Sequence, residues 1–242
     1  MIIIIVYIYL KPKKQPMICQ CESCDLKNLF FNCIDENQIE QYCDSRTETS
    51  FKEGEPIIVQ GGSISEFLYL KEGLVKLFRT NELGEEQIIS FGRPFDFVSI
   101  LSVFSSPHYN YSVTALKPSV ICSFNLTEIT NLILDNGLFA MNLIQTLTRS
   151  SDRIILNSLS LLQKRLYGRI AYTLLYFADE IYFKDEFELP VSRKEISQYI
   201  GMTQENVIRA LSSLRKDGTI KVFGKSILIE DRKRLIRMRE LS

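Results

Sequence analysis

Residues 191–211 read VSRKEISQYIGMTQENVIRAL. Ser192 followed three residues later by Glu195 is a capping box, in which a hydroxyl and a carboxylate satisfy two backbone N–H groups at a helix start. The spacing predicts a short helix through Tyr199 and Ile200, reversed at Gly201, where a residue without Cβ can take a positive φ. Thr203 then caps a second helix running toward Lys216, and Asp217-Gly218 ends it. Beyond it TIKVFGKSILIE, residues 219–230, gives two strand-like runs around Phe223-Gly224-Lys225-Ser226, a hairpin. Helix, tight turn, helix and β-hairpin is the outline of a winged helix-turn-helix.

On the second helix Val207, Leu211 and Leu214 fall on one stripe that must face a small core. Gln204, Glu205, Ile208 and Arg209 then face outward near the N-terminal end, the end that enters a major groove in such folds. A glutamate there can accept from a cytosine amino group and an arginine can take a guanine bidentately. The same two residues, four apart, also suit an ordinary ion pair on a solvated helix. Arg193, Lys194, Thr203, Lys221 and Lys225 are candidates for phosphate contacts, which position a domain without specifying sequence. The charge distribution agrees: from residue 160 onward there are 16 Lys and Arg against 11 Asp and Glu, a surplus of five on a chain whose net charge is zero. A basic C-terminal third on a neutral chain is the electrostatic footprint of a nucleic-acid-binding module attached to something else.

Upstream, the pattern is helical from Leu126. Ile144, Leu147, Ser151, Ile154, Ser158 and Leu161 recur at alternating intervals of three and four, a seam suited to a partner helix, or to packing on the chain's own upstream domain. From Thr49 to Asn125 short runs rich in β-branched and aromatic residues alternate with turns at Gly61, Gly73 and Gly84, the mark of an all-β barrel or sandwich. Six cysteines in 242 residues are too few for a disulfide scaffold, so reduced thiols and a cytoplasmic location are expected. The opening MIIIIVYIYLKPKK has its charges after its apolar run, the wrong order for a signal peptide, and the run is about half the roughly 20 residues a membrane span needs. It reads as an extension with Met17 as an alternative start, or as an edge strand or membrane-surface contact. With a single histidine, His108, and no P-loop, H-E-x-x-H or paired-carboxylate motif, no enzyme is expected.

These residues resemble the Crp/Fnr transcription regulators from about Cys19 onward. IIVQGGSISEFLYLKEGLVKLFRTNELGEEQIISFGRPFDFVS is similar to that family's β-roll, GRIAYTLL at 168–175 to the helix joining the dimerisation helix to the DNA-binding domain, and the opening stretch to its helix-turn-helix. The resemblance implies an α+β fold. Residues 1–18 form an N-terminal extension, 19–125 a cyclic-nucleotide-binding-like β-roll of jelly-roll type, 126–162 a long dimerisation helix region and 163–242 the winged helix-turn-helix. It implies a homodimer on a pseudo-palindromic operator in double-stranded DNA, RNA polymerase as a further partner, no membrane, and promoter activity switched by an effector sensed in the roll. Glu205 and Arg209 match the family's E-x-x-x-R reading pattern, while Gln204 and Ile208 fall where members vary. The competing reading is a redox or small-ligand sensor whose winged helix serves protein contacts.

The effector is left open. Members that bind cyclic AMP hold it with a Gly-Glu pair and an Arg-Ser pair; the matching places here are Ser99-Ile100 and Tyr109-Asn110. Without the arginine or a glycine-rich amide cradle the phosphate loses its main binding energy, so cyclic AMP in the usual mode is not expected. The family's oxygen-sensing branch holds a [4Fe–4S] cluster on four cysteines, which the resemblance would place on Cys21, Cys24, Cys122 and either Cys33 or Cys19. The spacing departs from the pattern, since Phe30 stands where the third N-terminal ligand is expected. Zinc, haem through His108, and plain packing of Cys33, Cys43 and Cys122 are the other readings.

Overall fold

The computed structural model describes residues 46–241. The extension at 1–18 and Cys19, Cys21, Cys24, Cys33 and Cys43 lie outside the described residues. The first part is a roll of two antiparallel sheets. One is ordered β1 (Thr47–Phe51), β7 (Ser119–Asn125), β3 (Glu66–Glu72); the other β2 (Pro56–Ile58), β6 (Ser112–Ala115), β4 (Val75–Thr80), β5 (Glu86–Gly92). Period-2 alternation gives each strand of the first sheet two jobs. Leu68, Leu70 and Ile121 point into the roll with Val75, Leu77 and Val113, whereas Phe67, Tyr69, Cys122 and Phe124 point outward beneath helices. That is why the middle of β3, Phe67 to Leu70, reads as an unbroken apolar run and β7 carries apolar side chains on both faces. Gly73, at the β3–β4 turn, has φ +100°, and a Cβ there would lie 2.2 Å from Ser119 Oγ and 2.6 Å from Pro118 O, so only glycine fits.

Two helices cover the outward face of the first sheet. Asn125 caps α1 (Leu126–Asp135) by accepting from Thr127 N–H, and Asn136 caps α2 (Gly137–Leu162) by accepting from Phe139 N–H. Ile129 and Leu132 of α1 and Phe139 and Leu143 of α2 complete the core over Phe67 and Cys122. The single apolar run from Leu126 is thus cut at Asn136, and again at 163–165 before α3 (Leu166–Tyr176). A π-helical turn (Phe177–Tyr182) follows α3. Then come β8 (Glu186–Glu188), α4 (Arg193–Ile200), α5 (Gln204–Lys216), β9 (Ile220–Phe223), β10 (Ser226–Ile229) and α6 (Arg232–Leu241). The last sheet is ordered β8-β10-β9.

The seam expected on α2 is only partly open. Ile144 is exposed and Leu147 is half-buried against the core under α1, whereas Leu161, 5% exposed, belongs to the chain's own C-terminal core and is closed to a partner. Ser151, Ile154 and Ser158 are half-buried. The apolar side chains that α2 leaves open are Leu138, Met141, Ile144, Ile155, Leu156, Leu159 and Leu162. Adjacent pairs such as Ile154-Ile155 and Leu161-Leu162 supply two apolar seams about 100° apart on a helix of 3.6 residues per turn, and the inner one is used by the fold.

The core of the winged helix is continuous with the roll. Val207, Ala210, Leu211 and Leu214 of α5, Ile196, Tyr199 and Ile200 of α4 and Ile227 of β10 share one buried cluster with Leu74, Phe78, Ile88, Phe91 and Leu116 of the roll. No helix among the described residues is long and apolar enough to cross a membrane.

Candidate nucleic-acid interface

The helix pair is built as its caps require. Ser192 Oγ accepts from Glu195 N–H at 3.1 Å, and the Glu195 carboxylate accepts in return from Ser192 N–H at 2.8 Å. These bonds, with the Lys76 ammonium alongside, outweigh the effect of burial and hold the Glu195 carboxyl below the usual carboxylate range. Gly201 ends α4 at φ +65° in the left-handed region. Thr203 Oγ1 accepts from Asn206 N–H at 3.3 Å and starts α5.

On α5 the apolar stripe faces in and the reading candidates face out. Gln204, Glu205, Ile208 and Arg209 are all exposed. Glu205 folds back on the helix start, where its own N–H and the Thr203 hydroxyl depress its pKa, so it stands as an ionised acceptor. Arg209 donates to Asn206 Oδ1, not to Glu205. Asn206 therefore orients the guanidinium, a role the sequence alone did not suggest. A cleft of about 510 Å³ runs along this face between Tyr167 of α3 and Glu205, Ile208, Arg209, Ser212, Ser213 and Lys216. Tyr167 precedes the 168–175 match and has no motif of its own, so only the fold brings it to this face.

The phosphate candidates differ among themselves. Lys194, Thr203 and Lys225 are exposed. Arg193 is half-buried, and burial lowers its pKa. Lys221 is paired with Glu230 at 2.6 Å, so a phosphate would have to displace that carboxylate. Wing and α4 come together through the β10–β8 pairing, in which Ser226 faces Glu188, and through Leu189 N–H, which donates to Lys225 O at 2.9 Å just before Ser192.

The end of α2 is tied to this unit by one side chain. Arg169 of α3 donates to Lys164 O at 2.7 Å and Leu162 O at 3.4 Å beyond and at the end of α2, and to Ile200 O at 2.6 Å at the end of α4. A planar guanidinium has the donors to serve carbonyls at two helix C-termini, whose partial negative charges favour a cation there.

At the place matching the family's cyclic nucleotide cradle the roll is filled by its own side chains. Ser99 is fully buried, its Oγ accepting from Leu68 N–H at 3.0 Å, and Tyr111 donates to Val98 O at 2.7 Å. The Tyr109 and Tyr111 rings meet edge to face at 6.2 Å among Leu68, Leu70 and Ile121. Burial pushes the Tyr109 hydroxyl up to about 12. On the other face of the sheet Cys122 is fully buried, its thiol 3.8 Å from Glu48 Oε1. Glu48 is held by Arg46 at 2.6 Å and Lys71 at 3.1 Å. Among the described residues no three Cys, His, Asp or Glu side chains stand together as a metal site, so these residues by themselves do not fit a cluster. Cys21, Cys24 and Cys33 lie outside the described residues. His108 is on an exposed loop.

A helix-turn-helix with an exposed polar reading face, a wing beside it and a β-roll upstream defines a DNA-binding transcription regulator with a sensor domain. The cyclic nucleotide-binding domain family matches residues 48–136 and the Crp-like helix-turn-helix domain family residues 168–238. The chain is 26% identical over 217 residues to Electron transport regulator A of Shewanella oneidensis, covering 87% of this chain and 86% of that one. It is 26% identical over 229 residues to the Fumarate and nitrate reduction regulatory protein of Escherichia coli, covering 90% and 89%. The structure of FixK2 from Bradyrhizobium japonicum superposes with a TM-score of 0.71 at 25% identity, covering 80% of this chain and 96% of that one. The chain belongs to the Crp/Fnr family of transcription regulators.

Proposed function

We propose that the protein acts in the cytoplasm as a homodimer on a two-fold operator, reading bases through Gln204, Glu205, Ile208 and Arg209, with RNA polymerase as a partner at the promoter. The observation that carries this is the reading face itself: four side chains exposed together at the start of α5, one of them a guanidinium oriented by Asn206. Arg193, Lys194, Thr203 and Lys225 supply phosphate contacts, and Lys221 joins them by exchanging Glu230 for phosphate. The dimer forms through the outer seam of α2, with Met141, Ile144, Ile155, Leu159 and Leu162 in contact across the two-fold axis. Arg209→Ala is expected to cost about 1–3 kcal/mol of binding to the preferred duplex, since one bidentate base contact is lost. Non-specific binding should be unchanged, because the phosphate contacts remain. Gel-shift titrations on the preferred and on scrambled duplexes measure both, and an equal loss on all sequences would remove Arg209 from the reading set.

The effector is proposed not to be cyclic AMP, because Ser99, Tyr109 and Tyr111 occupy the cradle and bring no cation to it. A redox signal is the reading favoured by Cys122, which lies at the family's β-roll cysteine place, and by relatives named for anaerobic regulation, fumarate and nitrate reduction, and electron transport. Operator affinity should then differ between protein prepared without oxygen and the same protein exposed to air, and Cys122→Ser should abolish the difference. Equal affinities in the two preparations would leave the effector to be sought elsewhere on the roll.

A further inference from the structure

The contact between roll and helix-turn-helix carries an ion pair beside its apolar cluster. Lys76 of β4 is a lysine only 11% exposed along its side chain, with its Nζ 2.9 Å from Glu195 Oε1, 3.4 Å from Glu86 Oε2 and 4.9 Å above the Phe78 ring. The other oxygen of Glu195 closes the capping box of α4. One carboxylate therefore both starts the first helix of the DNA-binding unit and receives a cation from the sensor. One turn further along α4 the Tyr199 ring lies 4.8 Å from Phe91 of β5, so the ion pair and the ring contact together fix α4 against the β4–β5 hairpin.

Polar groups are also buried beside this seam. The Tyr182 hydroxyl is buried without a hydrogen-bond partner while Lys117 of the roll sits 4.6 Å above its ring, and Gln198 Oε1 on α4 is likewise buried and unpartnered. Buried polar atoms left unsatisfied cost free energy, and separating the two surfaces would return them to water. In the pose that the ion pair holds, Gln204, Glu205, Ile208 and Arg209 are all open.

We propose that Lys76 is a positioning residue for DNA binding: through Glu195 it sets the pose of the helix-turn-helix on the roll, and its release lets the unit leave the binding pose. A dimer must present two α5 helices about one helical turn of DNA apart, roughly 34 Å, so a unit free to rotate loses affinity even when its base contacts are intact. A sensor signal that shifts β4 by the length of a hydrogen bond breaks the pair without touching the reading face.

The proposal rests on the operator reading above, and the test separates the two. The probe is the duplex that the wild-type protein selects from a randomised pool. Lys76→Met and Glu195→Gln, the second of which keeps a capping-box side chain, are each expected to weaken binding about tenfold, as for coupled pairs, and the double variant no further than either alone. Lys76→Arg should retain wild-type affinity. Hydrogen exchange should quicken at 88–91 and 196–200 in both single variants and not at the other strands of the roll. Variants that bind as the wild type does, or whose losses add in the double variant, overturn the positioning role and leave the operator reading standing. A wild-type protein that selects no duplex overturns the operator reading, and the proposal with it.

Discussion

Leu159→Glu is expected to leave the protein monomeric in sedimentation equilibrium with its fold intact, and to remove binding to a two-fold operator at concentrations where the wild type is saturated. Leu159 is 47% exposed on the outer seam of α2, with Ile155 at 54% and Leu162 at 68% on either side. Such an apolar stripe on a 26-residue helix calls for a second copy of the same stripe. A glutamate at that place would meet its symmetry mate across the axis, burying two unpaired like charges at a cost of several kcal/mol each. The loss on DNA is larger than for any single base contact, because each half-site alone binds with the affinity of one domain. Leu161→Glu is the contrasting variant: at 5% exposure it buries its charge in the chain's own core and should unfold the C-terminal half instead. A dimeric Leu159→Glu protein would place the contact elsewhere.

That comparison also marks where sequence reading stops. The winged helix was legible residue by residue, because each of its boundaries is set by a local rule: the Ser192–Glu195 box, the positive φ at Gly201, the Thr203 cap, the Gly224 turn. The roll was legible as a class for the same reason, its turns falling at glycines such as Gly73. The outer seam of α2 was not, because Leu161 and Leu162 are equally apolar and only the packing of α3 against the helix decides which is covered. Nor were the ties between the parts. Arg169, Asn206 and Lys76 act on carbonyls or side chains 31, 3 and 119 residues away, and of these only the Asn206 contact is within the reach of a helical repeat. Long-range pairs leave no periodic trace in a single sequence.

The merged core gives the last expectation. Phe91→Ala should destabilise the protein by about 3–5 kcal/mol, the cost of deleting a fully buried aromatic ring that cannot be refilled. Phe91 is 2% exposed, and its ring lies 4.8 Å from Tyr199, 5.1 Å from Phe177 and 6.2 Å from Tyr176, so one strand residue touches α3, the π-helical turn and α4 at once. Its neighbours across the same cluster, Leu74, Ile88 and Leu116, come from the roll, and Ile196, Leu211 and Ile227 from the winged helix. A cluster that draws on both parts makes them melt together, so calorimetry of the wild-type protein should show one transition. With the ring removed, the apolar contact between the parts shrinks to Leu74, Phe78, Ile88 and Leu116, and the ion pairs across it are Lys76–Glu195 and Arg93–Glu180, of which only the first has both side chains less than a quarter exposed. Ion pairs with exposed members contribute little at ordinary salt, so the Phe91→Ala protein should unfold in two steps, the winged helix first, and the gap between the steps should widen as salt rises. A single transition merely shifted to lower temperature would mean that the coupling runs through α2 and Arg169 instead of through the seam.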